Sequence, residues 1–285
     1  MRIGRYYQLP GLGDYAIAGL KLLIVAAFIV LAWGLINKIT KFDDHHALFE
    51  ERNTAYALQR GGLVLGQAIA LTSLISVKDD TWADLAWLLL GGVWILALLL
   101  GVRQLLPYLV PFDPEAGQTT VSVGLVHGAF YTASGLIIGA GLTGSAPSLA
   151  TAIASMFVFT LLGLAVLAGA YLGNGMVRPY RLAERVRAGN LAAGLISSGF
   201  LVALVLVLHN AIAGEFTGWA SGLIGFAVTA LIALAVFYLL CVAVDRWVIE
   251  NATLVDVVEG DHANAGAVIA VALVAIAIAI SAIAI

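Results

Sequence analysis

Apolar and polar positions along this 285-residue chain fall into long blocks rather than into alternation. Eight stretches, about 15–38, 54–77, 82–106, 119–142, 148–173, 189–213, 218–244 and 263–285, are dominated by Ala, Leu, Val and Ile. Each reaches the roughly 20 mostly apolar residues that a helix needs to cross the hydrocarbon of a bilayer. Their length and their lack of a two-residue period predict helices and exclude a β-barrel. The expected fold is all-α integral membrane, with eight transmembrane helices. Short connections near 78–81, 143–147 and 214–217 alternate with longer ones, leaving no room for a domain on the short-loop side.

That alternation suggests a repeated unit. Asn53 is followed by TAYAL, Asn190 by LAAGL and Asn264 by AGAVI. Gln118, followed by TTVSV, occupies the comparable place before the fourth stretch. Every even-numbered span is expected to open with a carboxamide and then small residues, with acidic residues shortly before it (Glu50 and Glu51, Glu115, Glu184, Glu259 and Asp261). A second register agrees. Asn37 lies sixteen residues before Asn53, and Asn174 sixteen before Asn190. Lys41 and Arg178 each follow the first asparagine by four, and Gly62 and Gly199 each lie nine beyond the second. The chain therefore reads as two duplicated halves, 1–142 and 143–285, each made of two related helical hairpins. The fourth unit has Val248 where the first asparagine would stand.

An asparagine at a helix start, followed by small residues and a glycine pair (Asn53, Ala55, Ala57, Gly61, Gly62) within paired hairpins, resembles the YjfL-like inner-membrane proteins, a domain-of-unknown-function family. Shorter members look like one half of this chain, so the resemblance covers nearly all of it as a tandem fusion. It implies no established biochemical activity. It does imply a membrane-maintenance context, because some members are associated with envelope-stress gene sets resembling the phage-shock response.

Composition narrows the function classes. With 62% hydrophobic and 11% charged residues and a mean hydropathy of +1.02, the chain lacks the polar surface of a soluble domain. A net charge of −3 gives no sign of a nucleic-acid partner. Cys241 is the only cysteine, which excludes an internal disulfide and a cysteine zinc cluster. The first apolar stretch is too long for a signal core and reads as a retained helix. Lys38, Lys41, Arg52, Arg103, Arg178, Arg181, Arg185, Arg187 and Arg246 follow odd-numbered spans, whereas the other side has Arg2, Arg5, Lys21 and Lys78. That bias places the long connections in the cytoplasm and both termini outside, in a multi-pass protein of the cell (inner) membrane.

Candidate chemistry is sparse. The entrance amides Asn53, Gln118, Asn190 and Asn264 first suggest caps for the unpaired N–H groups of a helix start. The sharper alternative makes them ligands at the mouth of a pathway. Ala57, Gly61, Gly62, Gly66, Gly124, Gly128 and Gly199 are expected to let helices approach closely in a compact bundle with the even spans inside. Arg60 lies seven residues, roughly 10 Å, past Asn53. It either snorkels to the interface or pairs with an inner carboxylate such as Glu50 or Glu51 in a polar vestibule. Gln67 and His127 are the other polar groups expected at depth, His127 as a neutral hydrogen-bonded ring or as a proton relay. The stretch FDDHHALFEE (42–51) is dense in metal-ligand types, but neighbouring residues do not all face one ion, and a solvated connector is the expectation. Arg178, Arg181, Arg185 and Arg187 are expected to face anionic lipid headgroups or a cytoplasmic stress-response partner. No nucleotide-binding loop, HExxH or nucleophile–His–acid pattern is evident, so no catalytic residue, metal or cofactor is assigned and an enzyme is not expected.

Two readings remain. One is a non-enzymatic membrane-maintenance component that packs tightly and associates with lipid, with a partner or with copies of itself. The alternative is an ion or small-solute channel or transporter with a polar path between the repeated hairpins.

Overall fold

The structure is a computed structural model that describes residues 12–40, 44–75, 82–110, 120–177, 182–247 and 253–283. Eight long helices carry the fold: α1 (Leu12–Thr40), α2 (Thr54–Ile75), α3 (Trp82–Leu109), α4 (Val121–Gly141), α5 (Leu149–Val177), α7 (Leu191–Ile212), α8 (Trp219–Trp247) and α10 (Ala263–Ile283). Two short helices, α6 (Leu182–Arg187) and α9 (Leu254–Glu259), and a π-helical turn, His46–Glu50, lie just before α7, α10 and α2. All eight long helices are apolar and long enough to cross a membrane, and the chain is a multi-pass membrane protein.

Length separates the helices into two classes. α2, α4, α7 and α10 have 22, 21, 22 and 21 residues, about 32 Å at 1.5 Å per residue, which just spans the hydrocarbon. α1, α3, α5 and α8 have 29, 28, 29 and 29 residues and must tilt or project into the headgroups.

The short class forms the centre. α2 packs along α4, α4 on α7, and α7 on α10, while the long helices lie outside this row. The principal packing is thus between the second helices of successive hairpins rather than within a hairpin. Burial follows position in the row: 78% of the α4 span and 72% of the α7 span are buried, against 22% of α10.

Glycine sets the closeness of the row. A Cβ on Gly62 would stand 2.3 Å from Gly128 Cα, and one on Gly124 would stand 2.5 Å from Ala55 Cα. A Cβ on Gly135 would meet the Gly66 carbonyl oxygen at 2.0 Å. No side chain fits at such separations, so backbone lies on backbone. In lipid, where burial of apolar surface drives little association, this close van der Waals contact is what holds helices together.

The same contacts recur in the second half. A Cβ on Gly199 would stand 2.5 Å from Ala270 Cα, and one on Gly266 would stand 3.0 Å from Ala192 Cα. A shift of 137 residues carries Ala55 to Ala192 and Gly62 to Gly199; a shift of 142 carries Gly124 to Gly266 and Gly128 to Ala270. The α2/α4 pair and the α7/α10 pair are therefore one motif used twice. The second shift makes Ser122 the counterpart of Asn264.

Candidate functional site

The entrance ends of α2, α4 and α7 are built from local caps. Asn53 Oδ1 accepts from the Tyr56 N–H at 3.0 Å, and Asn190 Oδ1 accepts from the Ala193 N–H at 2.7 Å. Thr120 caps α4, its hydroxyl accepting from the Val123 N–H. Gln118 lies outside the described residues. Asn264 differs from the expectation for an entrance amide: α10 already begins at Ala263, and Asn264 sits inside its first turn, exposed. Asp261, held at φ 47°, reaches across instead, its Oδ1 accepting from the Ala192 N–H at 2.9 Å. Asn190 answers by donating from Nδ2 to the Val258 carbonyl at 2.6 Å, so the α9–α10 corner locks the entrance of α7.

Arg60 is the chemical centre of the first half. Its residue is only 4% exposed, although it lies inside a membrane span. Helix geometry tilts side chains toward the N-terminus, which brings the guanidinium back toward the entrance. There Nε donates to the Tyr56 hydroxyl at 2.7 Å, and Nη2 donates to Asp44 Oδ1 at 2.8 Å and to Asn37 Oδ1. Asp44 also accepts from the Tyr56 hydroxyl, and at 2.5 Å from Asn37 Nδ2. The guanidinium carbon stands 5.3 Å from the Trp33 ring centre and 5.1 Å from that of Tyr56, within cation–π range of both. The result is a polar latch that ties α1, the turn before α2 and α2 itself.

The partner of Arg60 is Asp44, not Glu50 or Glu51. Those two glutamates serve the neighbouring histidines: His46 Nδ1 meets Glu50 Oε2 at 2.7 Å and His46 Nε2 meets Glu51 Oε1 at 3.3 Å, both on the exposed surface. Burial alone would raise the Asp44 carboxyl. The hydrogen bonds from Tyr56 and Asn37 and the Arg60 charge outweigh it and hold the group below its ordinary value of 3.8. The sequence points to Asp44 only as one of the metal-ligand types of the 42–51 connector, with Asp43, His45 and His46, and does not single out Asn37, Tyr56 or Trp33 as site residues. The available signal was the pair Asn37 and Asp44 standing ahead of an arginine two turns into a span.

Two further buried polar groups lie beside the latch. His127, 1% exposed, meets the Val110 carbonyl through Nε2 at 2.7 Å, so that nitrogen carries the proton. Its Nδ1 accepts from Gln59 Nε2 at 3.2 Å. Both ring nitrogens are used, joining α2, α4 and the end of α3. Gln67, 1% exposed, donates from Nε2 to the Phe28 carbonyl of α1 at 2.8 Å. Within this group of side chains, Arg60 Nη1 and Gln67 Oε1 have no hydrogen-bond partner.

Of the packing residues expected from sequence, Gly62, Gly66, Gly124, Gly128 and Gly199 lie in the helix contacts of the row. Ala57 and Gly61 do not: both are exposed, and a Cβ on Gly61 would meet nothing within 4 Å. Arg178 and Arg181 fall outside the described residues. Arg187 donates to the Leu109 carbonyl at 3.2 Å, the C-terminal end of α3, where a cation is favoured. Arg185 stands 4.0 Å from Glu259 on the surface. At the opposite end of the row, the Phe216 N–H donates to the Ser145 carbonyl at 2.9 Å, and a Cβ on Gly144 (φ 105°) would touch the Gly214 carbonyl oxygen at 2.0 Å. The connection between the halves is thus pinned to the α7–α8 loop at this end, while Arg187 and Leu109 join the halves themselves at the entrance end.

The chain belongs to the family described as Domain of Unknown Function (DUF350), which matches it twice, over residues 9–142 and 148–284. The double match shows the tandem duplication and agrees with the repeated helix contacts. No curated protein and no solved structure matches the chain.

Proposed function

We propose that this protein is a non-conducting, non-enzymatic scaffold of the cell (inner) membrane with a role in membrane maintenance. The observation that carries the reading is the backbone-on-backbone packing of the central row. Gly62 on Gly128, Gly66 on Gly135 and Gly199 on Ala270 leave no width for a file of hydrated ions between these helices. The hydrogen bonds of the latch support the same reading, since Arg60 Nε and Nη2, Asp44, Tyr56 and Asn37 bond to one another and His127 to Gln59 and Val110. In this reading the entrance ends, with most of the Lys and Arg, face the cytoplasm and both termini lie outside. Arg178, Arg181, Arg185 and Arg187 then meet anionic headgroups or a cytoplasmic stress-response partner, with no cofactor or metal required.

The alternative, a channel or transporter for ions or small solutes, draws on one observation: Nη1 of Arg60 and Oε1 of Gln67, both on α2, are buried polar atoms without a hydrogen-bond partner. Both readings meet in one experiment. Purified protein in tight liposomes is expected to show no more K⁺, Na⁺, Cl⁻ or H⁺ flux than empty vesicles. A flux that Arg60→Ala or Asn53→Leu alters would overturn the scaffold and establish the channel.

A further inference from the structure

The row of four short helices ends in two open faces, and each is the counterpart of a face that is buried inside the molecule. On α4, Ser122, Val126, Ala129, Ala133, Leu136 and Ala140 form one stripe at helical spacing; all but the half-buried Leu136 are buried. This is the stripe that begins at the α7 contact, where a Cβ on Gly194 would stand 2.7 Å from Ser122 Cα. The 142-residue shift turns it into Asn264, Val268, Val271, Ala275, Ile278 and Ala282 on α10. All six of those are exposed.

The other end behaves the same way. On α7, Gly194, Ser198, Val202 and Val205 are buried or half-buried. The 137-residue shift turns them into Ala57, Gly61, Leu65 and Ala68 on α2. Ala57, Gly61 and Leu65 are exposed, and Ala68 is half-buried. One molecule thus presents the α4-type face unpaired at α10 and the α7-type face unpaired at α2, while its own halves are joined by that pair of faces.

The geometry points to a second copy of this chain as the occupant: α10 of one copy packs on α2 of the next, repeating the α4/α7 interface that joins the halves. The four helices of the row enter from the same end, so the next copy's α2 runs parallel to α10 as α7 runs parallel to α4. Every copy in a membrane is inserted the same way, which satisfies that requirement. Because unlike faces meet, the contact is heterologous, and copies form a ring or an open row rather than a two-fold dimer. The polar end of the α10 face is accounted for as well. Asn264 takes the place of Ser122, which at the internal interface donates to the Val186 carbonyl at 2.8 Å. The matching carbonyl of the next copy is that of Phe49, in the π-helical turn.

Disulfide trapping tests this directly. In a full-length Cys241→Ala background, the pair Ala57→Cys and Asn264→Cys is the intermolecular copy of the Gly194–Ser122 contact. Within one chain the two positions lie at opposite ends of a four-helix row, roughly 25 Å apart at 8–10 Å per helix pair, far beyond disulfide reach. Mild oxidation of native membranes is expected to give a ladder that extends past dimer for the double variant and stays monomeric for either single variant. Two results overturn the proposal: a double variant that stays monomeric while both thiols label with a maleimide, or a single variant that dimerises as well as the pair, since like faces would then meet. Subunit counting of the unmodified chain in nanodiscs keeps the test independent of the variants, and a strictly monomeric count also sinks it.

Discussion

The two halves of this molecule share a packing scheme and differ in the chemistry placed on it. In the first half, the entrance of α2 is tied to α1 by Asn37, Asp44, Tyr56 and Arg60, with Gln67 and His127 buried beside them. At the corresponding places the second half has Asn174, Arg181, Ala193, Ser197, Leu204 and Ile269. Where an arginine is held by a carboxylate in one, a buried serine stands in the other. The glycine contacts are nevertheless the same to within a few tenths of an ångström at Gly62/Gly128 and Gly199/Ala270. Packing and polar chemistry are therefore separable here: the second half reaches the same helix arrangement without an arginine at this place. Its entrance is closed by a different device, the exchange between Asn190, Ala192 and the α9–α10 corner.

If packing is what the halves share, a bulky residue at either crossing should do equal damage. Gly62→Leu and Gly199→Leu are each expected to prevent recovery of monodisperse protein, read by fluorescence-detected size exclusion, because the neighbouring backbone has no room to give. An intact Gly62→Leu protein would break the equivalence.

The polar difference is tested one step lower in magnitude. Asp44→Leu leaves the Arg60 guanidinium buried without its carboxylate and should cost about 3–5 kcal/mol in an unfolding titration. Ser197→Ala at the corresponding place in the second half should cost under about 1 kcal/mol. Equal costs would mean that the latch contributes nothing that the serine does not. Tyr56→Phe removes one hydroxyl that both donates to Asp44 and accepts from Arg60, and about 1–3 kcal/mol is expected.

The smallest effect is that of acid. The Asp44 carboxyl is held below its ordinary 3.8 in the folded protein, so its stabilisation is fully present above that value. It fades as pH falls through the lowered folded value. The melting temperature of the wild type should therefore exceed that of Asp44→Asn at pH 6, and the gap should narrow below about pH 4. A gap that widens on acidification would reverse the assignment.

How much of this was legible in the sequence follows from the range of each interaction. The spans are set by local hydropathy, and the eight helices lie within a few residues of the expected stretches. The duplication was legible through Asn53 and Asn190, because a cap is a local device that requires a short acceptor just before an apolar run. Asn264 matches them in residue type, in the small residues after it and in the acids before it, yet it is not a cap. Its true counterpart is fixed by the contact of Gly266 with Ala192, which no short motif displays. Arg60 announced itself as a charge at depth, but the choice of Asp44 over the nearer Glu50 and Glu51 depends on how the π-helical turn folds back. Gly61 and Gly62 look alike in the chain, yet one meets Gly128 and the other meets nothing. A glycine states that close approach is permitted, not from which side it comes.

The connection Leu142–Ser148 between α4 and α5 has a consequence for biogenesis. A first half newly released into the bilayer shows, on α4, a face that the second half of any chain can satisfy. Repeat proteins built this way are prone to misassembly between chains while they are being made. The seven residues from Leu142 to Ser148 keep the correct second half tethered beside α4, at an effective concentration on the order of millimolar. Intramolecular pairing is thereby favoured over exchange with a neighbour. Lengthening this connection would leave the helix crossings of the row as they are; it would change which chain those crossings are made with.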